Sequence, residues 1–351
     1  MNLKFPLARK KKGSKRKPRT KSRRLALSLA VVISTFLLLW GWTGTWFVHH
    51  PRQWLDEKSS SLPQFVTKAL LYLGNPVGDL TDAFGWTGHD AVYEYDLEAP
   101  TGSILFAGAP QRTGLPAPAD IRVLKRGEFL IGWSDQLQHP VWCAYHVPAR
   151  TRFTDLKRPG FVKDRSVSAA PLPSAYAKSG YDRGHMVPNH AIASRFGESE
   201  QKLTFMMSNI APQTPALNRG VWRDVEHRIA DLWTARYGEI WVIVGALSSV
   251  PSALRIGPTG IDVPTAYYQL VIAQEGLDVR ALAVLLPQDV KWNAWAARHI
   301  ITIDELEKLT GLDFNPELPD FIQTPLEADL PTRLWPIRPL DVFKLIALRF
   351  Q

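Results

Sequence analysis

The longest apolar run comes first: Leu25 to Val48 holds 24 residues without a charged side chain. As a helix it would span about 36 Å at ~1.5 Å per residue, against about 30 Å of bilayer hydrocarbon, so it predicts one N-terminal transmembrane helix. Behind it, residues 51–118 are irregular, with a short helical pattern near Phe65 to Leu73 and then Gly- and Pro-marked turns. Ile121 to Lys125 and Phe129 to Trp133, separated by Arg126-Gly127-Glu128, predict a β-hairpin, and Val141 to Val147 a third strand. A polar loop region runs from Pro148 to Gly180.

Val221, Trp222, Val225, Ile229, Leu232 and Trp233 recur at helical spacing, with Pro215 suited to a first turn and Gly238 to a stop. Ile240 to Val244 is a continuous run of β-formers, read as a buried strand. Further strands fit Tyr267 to Ala273 and Val279 to Leu286. A last helix fits Ile303 to Thr310, with Thr302 or Asp304 at its start and Gly311 after it. Hairpins with few helices predict an α+β fold rather than a βαβ alternation. Leu340 to Phe350 fits a short apolar helix, packed on the body or touching a membrane.

Charge changes the picture at the N-terminus. The chain has 351 residues with 42 Lys plus Arg against 33 Asp plus Glu, a formal +9. Residues 1–24 alone carry twelve cations and no acid, so the remainder stands at −3. Cations before the apolar run and Trp40, Trp42 and Trp46 at its far end predict a cytoplasmic tail and a body across the membrane. A cleaved signal peptide would have an apolar core of about 7–15 residues and a small-x-small exit. This run closes instead on Trp46-Phe47-Val48-His49-His50. The expected segments are a basic cytoplasmic tail (1–24), a transmembrane signal anchor (25–48), a stalk or covering segment (49–118), a globular domain (119–320) and a C-terminal extension (321–351). With 45% hydrophobic and 21% charged residues, the chain is neither disordered nor a polytopic membrane protein. Its single cysteine, Cys143, excludes an internal disulfide framework and a Cys-rich zinc site, and its apolar neighbours mark it as a small buried residue.

The stretch that carries chemistry is Tyr181-Asp182-Arg183-Gly184-His185-Met186. Alone, Asp-Arg-Gly-His reads equally well as a turn whose Gly supplies an unusual backbone angle. Downstream stand Ser208-Asn209-Ile210-Ala211-Pro212-Gln213, Leu217-Asn218-Arg219-Gly220-Val221-Trp222, and Glu226. With the blocks His139 to Tyr145, Val263-Pro264-Thr265 and Ile303 to Leu312, this pattern closely resembles the non-specific DNA/RNA endonucleases of the ββα-metal (His-Me finger) superfamily. That group contains mitochondrial endonuclease G and secreted bacterial sugar-non-specific nucleases. The resemblance covers roughly Ile121 to Asp320. It implies a ββα-metal nuclease fold of the α+β class with a mixed or antiparallel sheet, and makes 119–320 the endonuclease domain.

The same resemblance implies roles. His185 would be the general base, taking a proton from the attacking water, a task that suits an imidazole with an unperturbed pKa of about 6.5. Asn218 falls on the metal-binding asparagine, a hard neutral ligand that leaves most of a Mg²⁺ shell to water and phosphate; Mg²⁺, or Mn²⁺ in its place, is the expected cofactor. Glu226 would hold metal-bound water. It lies roughly 80° from Asn218 around an ideal helix, so both face one side. Arg183 would bind phosphate through its planar fork of donors. Arg158 resembles a second site arginine, although its spacing departs by a residue from the family pattern. Asn209 matches another site position, either orienting His185 or contacting phosphate. Asp182 would support its loop, and His190, Arg219 and His227 match no required position and are assigned surface or packing roles.

Local charge agrees with this placement: residues 151–236 carry 13 basic against 8 acidic side chains inside an otherwise acidic body. The expected function is a membrane-anchored, metal-dependent endonuclease on the outer, periplasmic side of a bacterial inner membrane, acting on DNA and RNA with little sequence preference. Analogy with relatives adds a homodimer. Two other readings stay open on sequence alone: an anchored nucleic-acid-binding or envelope scaffold protein of the same fold without turnover, and a phosphodiesterase for a smaller substrate.

Overall fold

The computed structural model describes residues 88–95, 100, 102–153, 156–248, 254–338 and 341. The basic tail, the apolar run 25–48, residues 49–87 and, apart from Asp341, the stretch from Leu340 to Phe350 lie outside the described residues. No helix among the described residues is long and apolar enough to cross a membrane.

An antiparallel sheet of eight strands organises the molecule. Along its path lie β1 (Ala91–Glu94), β12 (Asp278–Pro287), β11 (Ala266–Glu275), β8 (Ile240–Leu247), β5 (His139–Val147), β4 (Phe129–Ser134) and β3 (Arg122–Arg126), with β13 (Ile300–Ile301) also paired to β12. The expected hairpin is β3–β4, and the expected strands are all present, most of them longer by a few residues than the apolar pattern alone suggests. Small two-stranded pairs join β2 (Gln111–Arg112) to β14 (Leu312–Asp313), β9 (Arg255–Ile256) to β10 (Ile261–Asp262), and β6 (Asp182–His185) to β7 (Ile210–Gln213). β1, from the segment read as a stalk or cover, closes one edge of the sheet.

The sheet is buried on both faces, which is why its strands read as continuous apolar runs. Alternation sorts their side chains. Phe129, Ile131, Trp133, Cys143, Tyr145, Val242, Val244 and Val271 face one core, while Trp142, Ala144, Trp241, Ile243, Tyr268, Leu270 and Ile272 face the other. On the first face packs a long helix over residues 215–237, through Val221, Trp222, Val225, Ile229, Leu232 and Trp233. It is called α3 here, after α1 (Asn189–Phe196) and α2 (Glu198–Thr204). On the second face pack α4 (Ile303–Thr310) and α5 (Asp320–Ala328). Each fully buried Val, Leu, Ile or Phe contributes about 1.5–3 kcal/mol. Two sheet glycines are needed for close packing: a Cβ on Gly245 would stand 2.1 Å from the Tyr268 ring, and one on Gly132 2.3 Å from Trp142.

Candidate active site

The Asp-Arg-Gly-His segment is a strand, not a turn. In β6 it pairs residue for residue with β7, Asp182 opposite Gln213 and His185 opposite Ile210. Gly184 serves that strand by its size: a Cβ there would lie 2.2 Å from the Gln213 side chain. β7 leads into α3, where Thr214 Oγ1 accepts from the Leu217 N–H at 3.4 Å and Pro215 occupies the first turn. At its far end Gly238 (φ 84°) stops the helix as expected. Two strands and one helix thus form a ββα unit on the first face of the sheet.

α3 is not ideal. Its backbone breaks at Gly220 (φ −100°, ψ −116°), and wide π-type turns span Leu217–Trp222 and Arg228–Trp233. The ideal-helix angle between Asn218 and Glu226 therefore does not describe them, yet both line one cleft of about 680 Å³. The same cleft is lined by Arg158, Phe161, Asp182, Arg183, His185, His190, Arg219, Arg223, His227 and Asp231.

His185 is nine-tenths buried, wedged between Phe161 (ring centroids 5.2 Å apart) and Phe205 (4.7 Å, edge to face). Its Nε2 makes no hydrogen bond among the described residues. Burial, helped by the Arg158 cation, pushes its pKa down to about 3, so the imidazole is neutral at physiological pH. The two arginines stack on the same aromatic pair, Arg183 over Phe161 at 4.7 Å and Arg158 over Phe205 at 5.3 Å. Neither forms an ion pair among the described residues.

Asn218 donates through Nδ2 to Asp182 Oδ2 at 2.9 Å, and the carboxylate fixes which end of the amide faces it. The Oδ1 atom accepts no hydrogen bond among the described residues. Burial would raise the Asp182 carboxyl, but Arg219 (2.6 and 2.7 Å) and Asn218 outweigh it and hold it below the ordinary carboxylate value. Glu226 is half-buried, accepts from Trp222 Nε1 at 2.8 Å, and is raised by burial to about 8, partly offset by that bond and by the Arg158 and Arg223 cations. A hard carboxamide oxygen and a carboxyl disfavoured as a bare anion fit a divalent cation that keeps most of its own water.

Asn209 does not reach the cleft. It is fully buried; Oδ1 accepts from the Val187 N–H at 2.9 Å, and Nδ2 donates to Val187 O and Thr204 O, each at 2.9 Å. Of the two roles open to it, holding the chain just after His185 is the one its bonds serve, and no bond is left for phosphate. The surface or packing roles expected of three residues change in the same way. Arg219 clamps Asp182, while His190 and His227 share the Asp231 carboxylate at 3.0 and 2.7 Å. That carboxyl is held well below its ordinary value, because its bonds to the two imidazoles outweigh the effect of burial.

Phe161, Phe205 and Asp164 were not singled out from sequence. Asp164 ties the arginine loop to the sheet: it accepts from Arg126 Nη2 at 2.7 Å, Ser166 Oγ at 2.6 Å and Ser208 Oγ at 2.6 Å.

Fold and match together make the chain a nucleic-acid hydrolase. More narrowly, it belongs to the DNA/RNA non-specific endonuclease family, whose model matches residues 107–321. A nuclease of Nostoc sp. is 28% identical over 222 residues, covering 60% of this chain and 78% of that protein. Human mitochondrial endonuclease G is 26% identical over 226 residues, covering 60% and 74%. A crystal structure of an EndoG/EndoGI complex superposes with a TM-score of 0.52 at 22% identity, over 56% of this chain and 86% of that one; at that identity the likeness concerns the fold.

Proposed function

We propose that this endonuclease is metal-dependent, cleaves DNA and RNA with little sequence preference, and works from a membrane anchor formed by residues 25–48, with Mg²⁺ as cofactor and the body on the outer side of a bacterial inner membrane. The observation that carries the catalytic part is the convergence of Arg158, Arg183, His185, Asn218 and Glu226 on one cleft. Arg183 and Arg158, stacked on Phe161 and Phe205, hold the scissile phosphate beside the imidazole. His185 accepts the proton of the attacking water. Its basicity is low chiefly through burial and, to a lesser degree, through the Arg158 cation; a phosphate bound at that arginine offsets the second effect. Asn218 Oδ1 and Glu226 hold the cation and its water, with Asp182 orienting Asn218. Bound there, the cation supplies positive charge to the phosphoryl oxygens and to the leaving 3′ oxygen.

The test is supercoiled-plasmid nicking by the purified chain with Mg²⁺, with EDTA, and for Asn218→Ala. Mg²⁺-dependent nicking that Asn218→Ala abolishes, with unchanged circular dichroism, is expected. A folded wild type that never nicks would instead support a binding or scaffold protein. The anchor is tested separately by a reporter active only outside the cytoplasm, fused after His50; a silent reporter overturns the topology.

A further inference from the structure

Away from the cleft, on the second face of the sheet, Asp304, Glu307 and Glu327 bring one carboxylate oxygen each to within 4.8 Å of one another. Asp304 and Glu307 are three apart on α4, so they share a face of that helix. Glu327 comes from the last turn of α5. None of the three forms an ion pair with Lys or Arg among the described residues. The Phe314 N–H donates to Glu307 Oε1 at 2.7 Å, which fixes that carboxylate in place. Glu327 is 95% buried, and its Oε1 has no hydrogen-bond partner among the described residues. Gln323 bonds the carboxyl, yet burial and the two neighbouring carboxyls still push it up to about 8: as an anion it is costly there unless something positive stands among the three.

We propose that Asp304, Glu307 and Glu327 form a second divalent-cation site, of the kind that takes Ca²⁺, fastening α5 to α4. Hard carboxylate oxygens select a hard cation. Ca²⁺ accepts irregular shells of about six to eight oxygens at about 2.3–2.6 Å, which suits carboxylates set by two separate helices, whereas Mg²⁺ demands a near-ideal octahedron at about 2.0–2.1 Å. The mechanical consequence is local. Just past α5, Asp329 accepts from Tyr93 Oη at 2.7 Å and bonds His89 Nε2 at 2.7 Å, so the fastened helix also secures the edge strand β1. The ion would act on stability and leave the chemistry of the cleft alone.

The experiment is thermal unfolding and ⁴⁵Ca²⁺ equilibrium dialysis on the full chain carrying Asn218→Ala, which removes the expected cleft ligand from the reading. In that background, Ca²⁺ at a hundred times its Kd should raise Tm by about 5 °C. One Ca²⁺ should bind per chain. Adding Glu327→Gln, or the gentler half-exposed Asp304→Asn, should abolish both the shift and the bound ion. Two results would overturn the site: a Tm indifferent to Ca²⁺, or a shift that survives both substitutions. So would a metal-free protein whose stability rises only with acid, because the carboxyls would then be holding protons. Activity is not the readout, so failure here leaves the endonuclease reading untouched.

Discussion

The two faces of the sheet are built by different rules. The face under α4 and α5 follows local ones: Thr302 caps α4 by accepting the Glu305 N–H at 3.0 Å, Gly311 ends it in the left-handed region (φ 68°), and Ile303, Leu306, Ile322 and Leu326 are buried as their spacing requires. The face under α3 breaks them. Its helix is kinked at Gly220 and loosened into π-type turns, and among the described residues the buried imidazole makes no hydrogen bond through Nε2 and the two arginines over its flanking rings form no ion pair. Local violations gather where chemistry is done, because a group satisfied by the protein has nothing left for a substrate. The comparison also separates what substitutions should do: activity is lost on one face, stability on the other.

The largest effect should come from His185→Ala. Loss of a general base costs about 10²- to 10⁴-fold in rate. Plasmid nicking per folded molecule should fall by that factor, alongside a loss of stability from the space left between Phe161 and Phe205. A nicking rate per folded molecule that stays near the wild-type value would show that His185 is a packing residue and would erase the contrast between faces. On the other face Phe314→Ala should do the reverse. The ring is fully buried against Tyr268, and its removal should cost about 3–5 kcal/mol in urea unfolding while the rate per folded molecule is unchanged.

Legibility in the sequence follows the same division. The long strands and α4 could be read because apolar period and capping residues agree there. β6 and β7 could not, since Asp182-Arg183-Gly184-His185 and Ile210-Ala211-Pro212-Gln213 carry little alternation and their pairing spans a loop and two short helices. α1 was hidden by a buried Arg195, whose guanidinium is satisfied by Ser194 Oγ and backbone carbonyls rather than by an apolar stripe. The site residues were visible by resemblance alone. Nothing in the order of residues announces that Phe161 and Phe205 will meet around His185, or that Asn209 will spend its amide on Val187 and Thr204, because each contact joins segments that only the fold brings together.

Asp164 links the two regimes, being a buried group that serves the cleft through structure. Burial raises its carboxyl, but Ser166, Ser208 and Arg126 together lower it further, to a net value below the ordinary 3.8. A depressed folded-state pKa gives stability that is complete well above pH 4 and fades as pH falls through the folded value. Asp164→Asn should therefore cost about 1.5–3 kcal/mol at pH 7, the usual worth of hydrogen bonds to a charge. The difference from wild type should shrink below about pH 4. A pH-independent difference in urea titrations would mean that the carboxylate charge is irrelevant to the loop bearing Arg158.

The smallest expected effect tests the obedient face where it is most regular. Thr302→Ala removes the side-chain acceptor for the Glu305 N–H and leaves one helix-end donor to water. The loss should be about 1 kcal/mol, within the ~0.5–2 kcal/mol range for such caps, with no change in nicking rate. Because Asp304 lies two residues past the cap, in the first turn that Thr302 fixes, the substitution should also weaken Ca²⁺ binding at Glu307 and Glu327 slightly while leaving its stoichiometry intact. A change in nicking that outlasts correction for the folded fraction would show that the two faces are coupled through the sheet, and the division of labour between them would have to be withdrawn.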